Sequence, residues 1–186
     1  ANKYDLKFLY YGLLYRYAVY FFLKTKIKKK VPFLKKKFEK LNYKKLKKIN
    51  LHTQEISEIS AKIAKNNNIR KILKKFEIDF SKKYKNCCIE GRDIATKILP
   101  NSNVKFFFIC NLRIAAYRRY NELKKLNSNL SLKEVKKALR IRNISDIKRK
   151  NSPLLKHKDS IVIDTGKLSK RDMLNKMSKY VESFLK

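Results

Sequence analysis

Glycine is scarce in this chain, which has only Gly12, Gly91 and Gly166 among its 186 residues. A loop that wraps phosphate groups needs glycines close together, because its backbone N–H groups must approach the phosphate oxygens closely. The sequence contains no G-x-x-x-x-G-K-S/T motif, and three dispersed glycines cannot form a comparable loop elsewhere. The absence of that motif excludes a P-loop among these residues.

Cysteine is also rare, with Cys87, Cys88 and Cys110 as the three examples. Two of them are adjacent and none forms a C-x-x-C pair, so their spacing indicates neither a zinc site nor a disulfide framework. A reducing cytoplasm fits this usage best.

Long hydrophobic runs are missing as well. The apolar run from Phe8 to Leu23 is too short to span a bilayer comfortably and carries Arg16 in its middle. We therefore expect a buried strand and helix there, and no association with a membrane. The chain opens on mixed polar residues, so no signal peptide is visible.

Acidic residues are few, since 15 Asp and Glu face 49 Lys and Arg and leave a formal net charge of +34. This balance is typical of a ribosomal or other nucleic-acid-coating protein. Only ten of the basic residues are arginines, however, and base readout and phosphate clamping favour the arginine fork. A lysine excess with many asparagines and isoleucines is also expected from an AT-rich genome, whose codons favour these residues at surface positions that tolerate substitution. Two explanations stay open: a drifted solvated surface and a selected polyanion-binding surface.

Strand and helix patterns alternate along the chain, which predicts an α/β fold with a parallel sheet. The predicted strands are Lys7 to Tyr10, Asn86 to Ile89, Val104 to Ile109 and Ile161 to Ile163. The predicted helix starts are about Leu13, Thr53, about Ile69, Asn111, Ser131 with Glu134 as a capping box, and Ser169 with Asp172. The third strand has the apolar character of a strand covered on both faces. The length suits one domain with an insertion.

Two helix-breaking residues and a lysine-rich stretch lie within the first fifty residues. Gly12 is expected to form a turn before the first helix, and Pro32 is expected to break any helix that precedes it. Lysines dominate from Lys24 to Lys48. The apolar residues of this stretch recur at helical spacing: Leu34, Phe38 and Leu41. The stretch is either a basic clamp over a polyanion or, as the patterning favours, a solvated helix packed through its apolar side chains.

A corner of charged residues follows the second predicted strand, at Glu90-Gly91-Arg92-Asp93. About fifty residues further on, Arg142, Asp146 and Arg149 repeat the combination on a predicted helix. Ligands bind at the carboxyl ends of strands in open α/β sheets, and two such sets can hold the phosphate and the base of a nucleotide. Each pair taken alone is more often a structural ion pair.

In order and spacing, these residues resemble the bacterial cytidylate kinases, nucleoside monophosphate kinases of the P-loop fold. The segments that carry the resemblance are Gly12-Leu13-Leu14-Tyr15-Arg16, Thr53-Gln54-Glu55, Glu90 through Thr96, Pro100, Arg118-Arg119, Arg142 through Arg149 with Pro153-Leu154, and Val162 through Thr165 with Leu168-Ser169. The resemblance runs from about Asn2 to the C-terminus. It implies a three-layer α/β fold with a parallel sheet, expected here to lack the family's first strand and P-loop, which would leave two strands unpaired.

The resemblance implies that CMP is bound by these residues: Gly12, Arg16, Arg70, Arg92, Asp93, Arg142, Asp146 and Arg149. Arg16 and Arg70 resemble the arginines that hold the CMP phosphate, which suits the arginine fork. Arg92 and Asp93 resemble the corner that contacts CMP, where the carboxylate accepts hydrogen bonds from the sugar hydroxyls.

A lid region is implied at about residues 118–150. In it, Arg142, Asp146 and Arg149 resemble the lid-side set, with Asp146 accepting a hydrogen bond from the cytosine amino group and so disfavouring uracil. Arg118 and Arg119 resemble the start of the lid and take the catalytic role of steadying the ATP phosphates.

Some positions differ from the family pattern. They are Tyr10 and Tyr11 in place of an Asp and a Ser or Thr, His52 and Ala115 in place of arginines, and Asn143 and Ser145 in place of an acid and an arginine. The family's insertion in the CMP-binding region is shortened to a basic stretch at about residues 24–50. Because the chain starts about where the family's first helix ends, we expect residues 1–186 to be a single kinase domain, truncated at its N-terminus and inactive as such.

The function implied is transfer of the γ-phosphoryl group of ATP to CMP or dCMP, giving CDP or dCDP, with Mg²⁺ bridging the phosphates. The expected partners are CMP or dCMP and ATP, without a specific nucleic acid, for a monomer in the cytoplasm. Two alternatives stay open. One is a small basic RNA-binding protein without catalysis, and the other is a degenerate homologue that binds CMP but transfers nothing.

Overall fold

A computed structural model describes residues 1–25, 27, 29–46, 49–125 and 129–185, without the side chains of residues 44, 45 and 54. It forms two compact units, Ala1–Ile94 and Ala95–Lys186. The predicted insertion at 24–50 and the predicted lid at 118–150 each include a few positions outside the described residues. The single-domain assignment stays a prediction.

The first unit is built on two parallel strands, β1 (Lys7–Tyr10) and β2 (Cys87–Glu90), which pair from Lys7 with Cys87 to Tyr10 with Glu90. Five helices lie along the chain between them: α1 (Tyr11–Lys24), α2 (Lys30–Glu39), α3 (Tyr43–Leu46), α4 (Gln54–Ile63) and α5 (Asn67–Lys83). The strand predictions at both places are confirmed to within one residue. Parallel pairing follows because the helices supply the crossover that parallel strands require.

The core of this unit lies where α1, α2 and α5 pack together. Leu14, Leu34 and Leu73 have no exposed surface. The ring of Phe38 meets Tyr17 and Phe76 edge-on, at centroid distances of 6.0 Å each, and so joins α2 to its two neighbours. The apolar spacing in the lysine-rich stretch therefore marks the buried face of a helix, as predicted.

Helix starts in the first unit differ from the prediction at two breakers. Gly12 does not form a turn but lies in the first turn of α1, and none of the glycines has a positive φ. Pro32 does not end a helix but lies within α2, as its third residue. Both positions are tolerated because the first N–H groups of a helix have no intrahelical acceptor, so a proline there removes no hydrogen bond.

The second unit has its own parallel pair, β3 (Phe106–Ile109) and β4 (Ile161–Asp164), aligned from Phe106 with Ile161 to Ile109 with Asp164. The α-helices among its described residues are α6 (Leu112–Lys124), α7 (Leu132–Lys148) and α8 (Lys170–Leu185). The predicted caps are confirmed. Asn111 accepts from the backbone of Arg113, and Ser131 forms the capping box with Glu134.

The strand β3 is not covered on both faces as predicted. Phe108 is 48% exposed and Ile109 is 42% exposed. Within the described part of the chain each sheet has two strands, so β3 hydrogen-bonds to β4 alone. The apolar run therefore reflects a strand-forming sequence and not burial within its own unit. The absence of the family's first strand and P-loop stays a prediction.

Among the described residues, no helix is both long enough and apolar enough to cross a membrane.

Candidate functional site

A buried ion pair lies at the carboxyl end of β2. Arg70 Nη2 donates to Asp93 Oδ2 at 2.5 Å, and the two side chains are 9% and 0% exposed. Arg70 lies near the start of α5, whereas Asp93 follows the corner after β2. A guanidinium and a carboxylate in a dry environment stabilise each other's charges, and each would be costly to bury alone.

Two tyrosines of α1 complete the surroundings of Arg70. Arg70 Nη1 donates to the hydroxyl of Tyr15 at 3.3 Å and to the carbonyl of Ala64 at 3.3 Å. The hydroxyls of Tyr15 and Tyr11 lie 2.8 Å apart, and their rings meet edge-on. Burial raises the pKa of Tyr15 to about 12, although the charge of Arg70 lowers it in part. Both phenols therefore stay neutral and act as hydrogen-bonding groups.

A second buried arginine lies in the same unit. Arg16 is 6% exposed, and its Nη1 donates to the carbonyl of Leu51 at 2.9 Å. Leu51 is itself buried, in the segment that leads to α4. The helical arginine is thus held against the backbone just before the Thr53 cap, which accepts from Ile56 N.

The corner that carries Arg92 and Asp93 passes close to its neighbours. A Cβ atom added to Gly91 would come within 2.8 Å of the Ile94 side chain and 2.9 Å of the Tyr11 ring. Contacts this short force a shift, so the corner needs a residue without a side chain. Asp93 is buried and Arg92 is half-buried. Gly12 differs, because its added Cβ would meet the ring of Tyr10, the movable end of a side chain, at 2.7 Å.

A second charged set lies in the second unit, at the end of α7. Arg149 Nη1 is 3.3 Å from Asp146 Oδ1, and Arg142 Nε is 4.0 Å from Asp146 Oδ2. Arg149 also donates through Nε to the carbonyl of Ser152. Asp146 is 9% exposed, so an acid acceptor lies between two arginines with little contact with solvent.

The two arginines predicted to be catalytic lie on α6. Arg118 is exposed, and its Nη2 donates to the carbonyl of Thr165 at 2.8 Å. Arg119 is half-buried and pairs with Glu122 at 3.1 Å. An exposed arginine anchored by one backbone contact keeps the remaining N–H groups of its fork for an anion.

A shallow groove between α6 and α7 has a volume of about 460 Å³. Its lining residues are Arg113, Ala116, Leu132, Lys133 and Lys136, and none of them is a predicted site residue.

The structure thus brings the predicted residues together in local groups. Arg70 is joined to Asp93 in the first unit, and Arg142, Asp146 and Arg149 are joined in the second. Sequence reasoning missed Glu77 as a neighbour of the first group. The signal was available, since Glu77 is seven residues after Arg70 and therefore on the same helical face.

Comparison with known proteins gives consistent results. A family model described as "Cytidylate kinase" matches residues 1–183. The chain is 30% identical to the cytidylate kinase of Rickettsia africae over 187 aligned positions, which cover 98% of this chain and 83% of that protein. It is 33% identical to the cytidylate kinase of Bartonella tribocorum over 174 positions, covering 91% of this chain and 79% of that protein. The cytidylate kinase of Rickettsia felis is 30% identical, with 100% and 84% coverage.

Proposed function

Because this chain belongs to the cytidylate kinase family of CMP phosphotransferases, we propose that it binds CMP or dCMP through arginine–aspartate sets and transfers a phosphoryl group from ATP to the phosphate of that nucleotide. The observation that carries the proposal is the buried Arg70–Asp93 pair at the carboxyl end of a parallel strand. Open α/β sheets bind their ligands at that end.

The phosphate of CMP is the proposed ligand of Arg70 and Arg16. A monophosphate is mostly dianionic near neutral pH and has several acceptor oxygens, which an arginine fork can meet with two parallel N–H groups. Arg70 is directed by Tyr15 and by Ala64, each at 3.3 Å, so its orientation exists before a ligand arrives. Such preorganisation lowers the entropic cost of binding.

The sugar is the proposed ligand of Asp93, assisted by Arg92. When the phosphate shares the charge of Arg70, the Asp93 carboxylate becomes available to accept hydrogen bonds from sugar hydroxyls. A deoxyribose lacks one of those hydroxyls, so the strength of this contact decides between CMP and dCMP.

The base is the proposed ligand of Asp146. This carboxylate can accept a hydrogen bond from the exocyclic amino group of cytosine, whereas uracil presents a carbonyl oxygen that would repel it. Arg142 and Arg149 lie on either side of this carboxylate, at 4.0 Å and 3.3 Å, and hold its orientation.

The phosphoryl donor is proposed to be ATP with Mg²⁺, which the kinase family generally uses. Mg²⁺ prefers oxygen ligands, and it enters the reaction as part of the co-substrate MgATP, bound to phosphate oxygens. In our proposal Arg118 and Arg119 spread the charge that develops during transfer, while positioning supplies most of the rate. We further propose one kinase domain and a monomer that acts in the cytoplasm.

The net charge of +34 favours a second candidate, a polyanion-binding surface that does not read sequence. Its lysines would neutralise phosphates, and affinity for RNA would fall steeply with salt. Such a surface would not distinguish CMP from UMP.

Calorimetric titration with CMP, UMP and AMP decides between the candidates. We expect CMP to bind at least about tenfold more tightly than UMP, the factor expected when a buried polar group loses its partner. Asp146→Asn is expected to reduce that preference, whereas Asp159→Asn, an exposed control in the same unit, is expected to retain it. Equal affinity for the three nucleotides would exclude the CMP site and favour the polyanion surface.

A further inference from the structure

Glu77 is a fully buried acid beside the Arg70–Asp93 pair, with 0% of its surface exposed. The buried residues of α5 are Ile69, Arg70, Leu73 and Glu77. Residues seven positions apart lie on the same face of a helix, so Glu77 shares the core-facing side of α5 with Arg70. A charged residue type therefore occupies a position that helix geometry assigns to the core.

The carboxyl group of Glu77 lacks the partners that a buried charge requires. Neither Oε1 nor Oε2 has a hydrogen-bond partner among the described residues. An ionised carboxylate in that condition is strongly disfavoured, whereas the protonated acid carries no net charge to desolvate.

The charged groups around Glu77 do not offset the effect of its burial. The groups that act on it electrostatically are Asp93 after β2, Arg70 and Lys74 of α5, and Tyr11 and Tyr15 of α1. Arg70 already pairs with Asp93 at 2.5 Å, so its charge is engaged by a carboxylate other than Glu77. Burial, followed by the charge of Asp93, raises the pKa of Glu77 to about 9, although Arg70 and Lys74 lower it in part.

We propose that Glu77 is a positioning residue for Arg70. When Glu77 is protonated, it leaves the guanidinium charge of Arg70 available to the CMP phosphate. When Glu77 is ionised, it competes with that phosphate for Arg70. The inference rests on the proposed function, because it presupposes that Arg70 binds the phosphate. It adds a residue whose side chain does not touch the nucleotide and acts only through Arg70.

The competition follows from charge balance. With Glu77 neutral, the charge of Arg70 is shared between Asp93 and an incoming dianionic phosphate. With Glu77 ionised, a second carboxylate is attracted to the same guanidinium and repels the phosphate. Both effects are strong in a dry environment, where charges are poorly screened. The affinity for CMP is then proportional to the fraction of protein in which Glu77 has kept its proton.

Glu77→Gln tests the proposal, since glutamine has the same shape and cannot ionise. CMP affinity is measured calorimetrically at pH 7.5 and pH 10 for the unaltered protein, for Glu77→Gln and for Asp79→Asn, an exposed acid on the same helix. We expect affinity to fall about tenfold at pH 10 in the unaltered protein and in Asp79→Asn. In Glu77→Gln the fall is expected to be less than about twofold.

A parallel loss of affinity in all three proteins would overturn the inference while leaving the CMP site intact. Failure of every protein to bind CMP at pH 7.5 would overturn the proposed site and this inference with it. Infrared spectroscopy supplies an independent readout. A protonated carboxyl band at pH 7.5 that disappears in Glu77→Gln supports the proposal, and an unchanged spectrum contradicts it even if the variant folds less well.

Discussion

The two arginine–aspartate sets use the same chemistry but are assembled in different ways. Asp93 pairs with Arg70 across 23 residues of sequence, and both side chains are buried. Asp146 instead meets Arg149 three residues later and Arg142 four residues earlier, at one end of α7. The first set depends on packing between separate elements, whereas the second set is assembled from near neighbours at the end of α7, where Arg149 is the C-cap residue. The comparison teaches that equal motifs in a sequence need not have equal structural weight.

Of the substitutions that test this difference, removal of Arg70 should have the largest effect on stability. Arg70→Ala leaves Asp93 buried without its cation, which is expected to lower the free energy of unfolding by about 3–5 kcal/mol. Urea denaturation measures this loss. Lys97→Ala, which removes an exposed cation of the second unit, serves as the control and should change stability by less than about 1 kcal/mol. Equal losses in the two variants would show that the buried pair has no special weight.

The next effect concerns the pH dependence of stability. The pKa of Glu77 is about 9 in the folded protein against 4.5 for the ordinary group, so between these values the folded state holds a proton that the unfolded state has released. Stability therefore falls as the pH rises through this window, by about 1.4 kcal/mol per unit for one proton.

Glu77→Gln is expected to remove that slope between pH 5 and pH 8, as followed by chemical denaturation at several pH values. Because the amide of the variant is also a buried polar group, the two proteins are compared by slope and not by absolute stability. A slope that persists in the variant would assign the proton to another group.

The smallest effect on stability is expected in the second set. Arg149→Ala breaks a contact between near neighbours at the end of α7 and should lower the free energy of unfolding by about 1 kcal/mol. CMP saturation, by contrast, should be lost, because Asp146 loses the nearer of the two arginines that hold its orientation. Steady-state kinetics or CMP titration separates the two effects, and unchanged CMP affinity would remove Arg149 from the proposed site.

Features that depend on near neighbours in the sequence were predictable. The strand Lys7–Tyr10 and the capping box of Ser131 with Glu134 were confirmed because strand patterning and capping act within a few residues. The partnership of Arg70 with Asp93 was not predictable, since both were assigned to CMP without any contact between them. The burial of Glu77 was missed although its spacing from Arg70 was a signal, because an acid is ordinarily placed on the solvent side of a helix.

The amino-acid sequence by itself determined the order of strands and helices, the helix caps, the high positive charge and the resemblance to cytidylate kinases, because these rest on local preferences and on residue order. Tertiary structure alone decided that Arg70 meets Asp93, that the hydroxyls of Tyr11 and Tyr15 lie 2.8 Å apart, and that Glu77 lies in the core. Those outcomes depend on how α1 and α5 pack against each other and on the segment after β2. Packing sets the local polarity, and polarity decides which side chains stay charged.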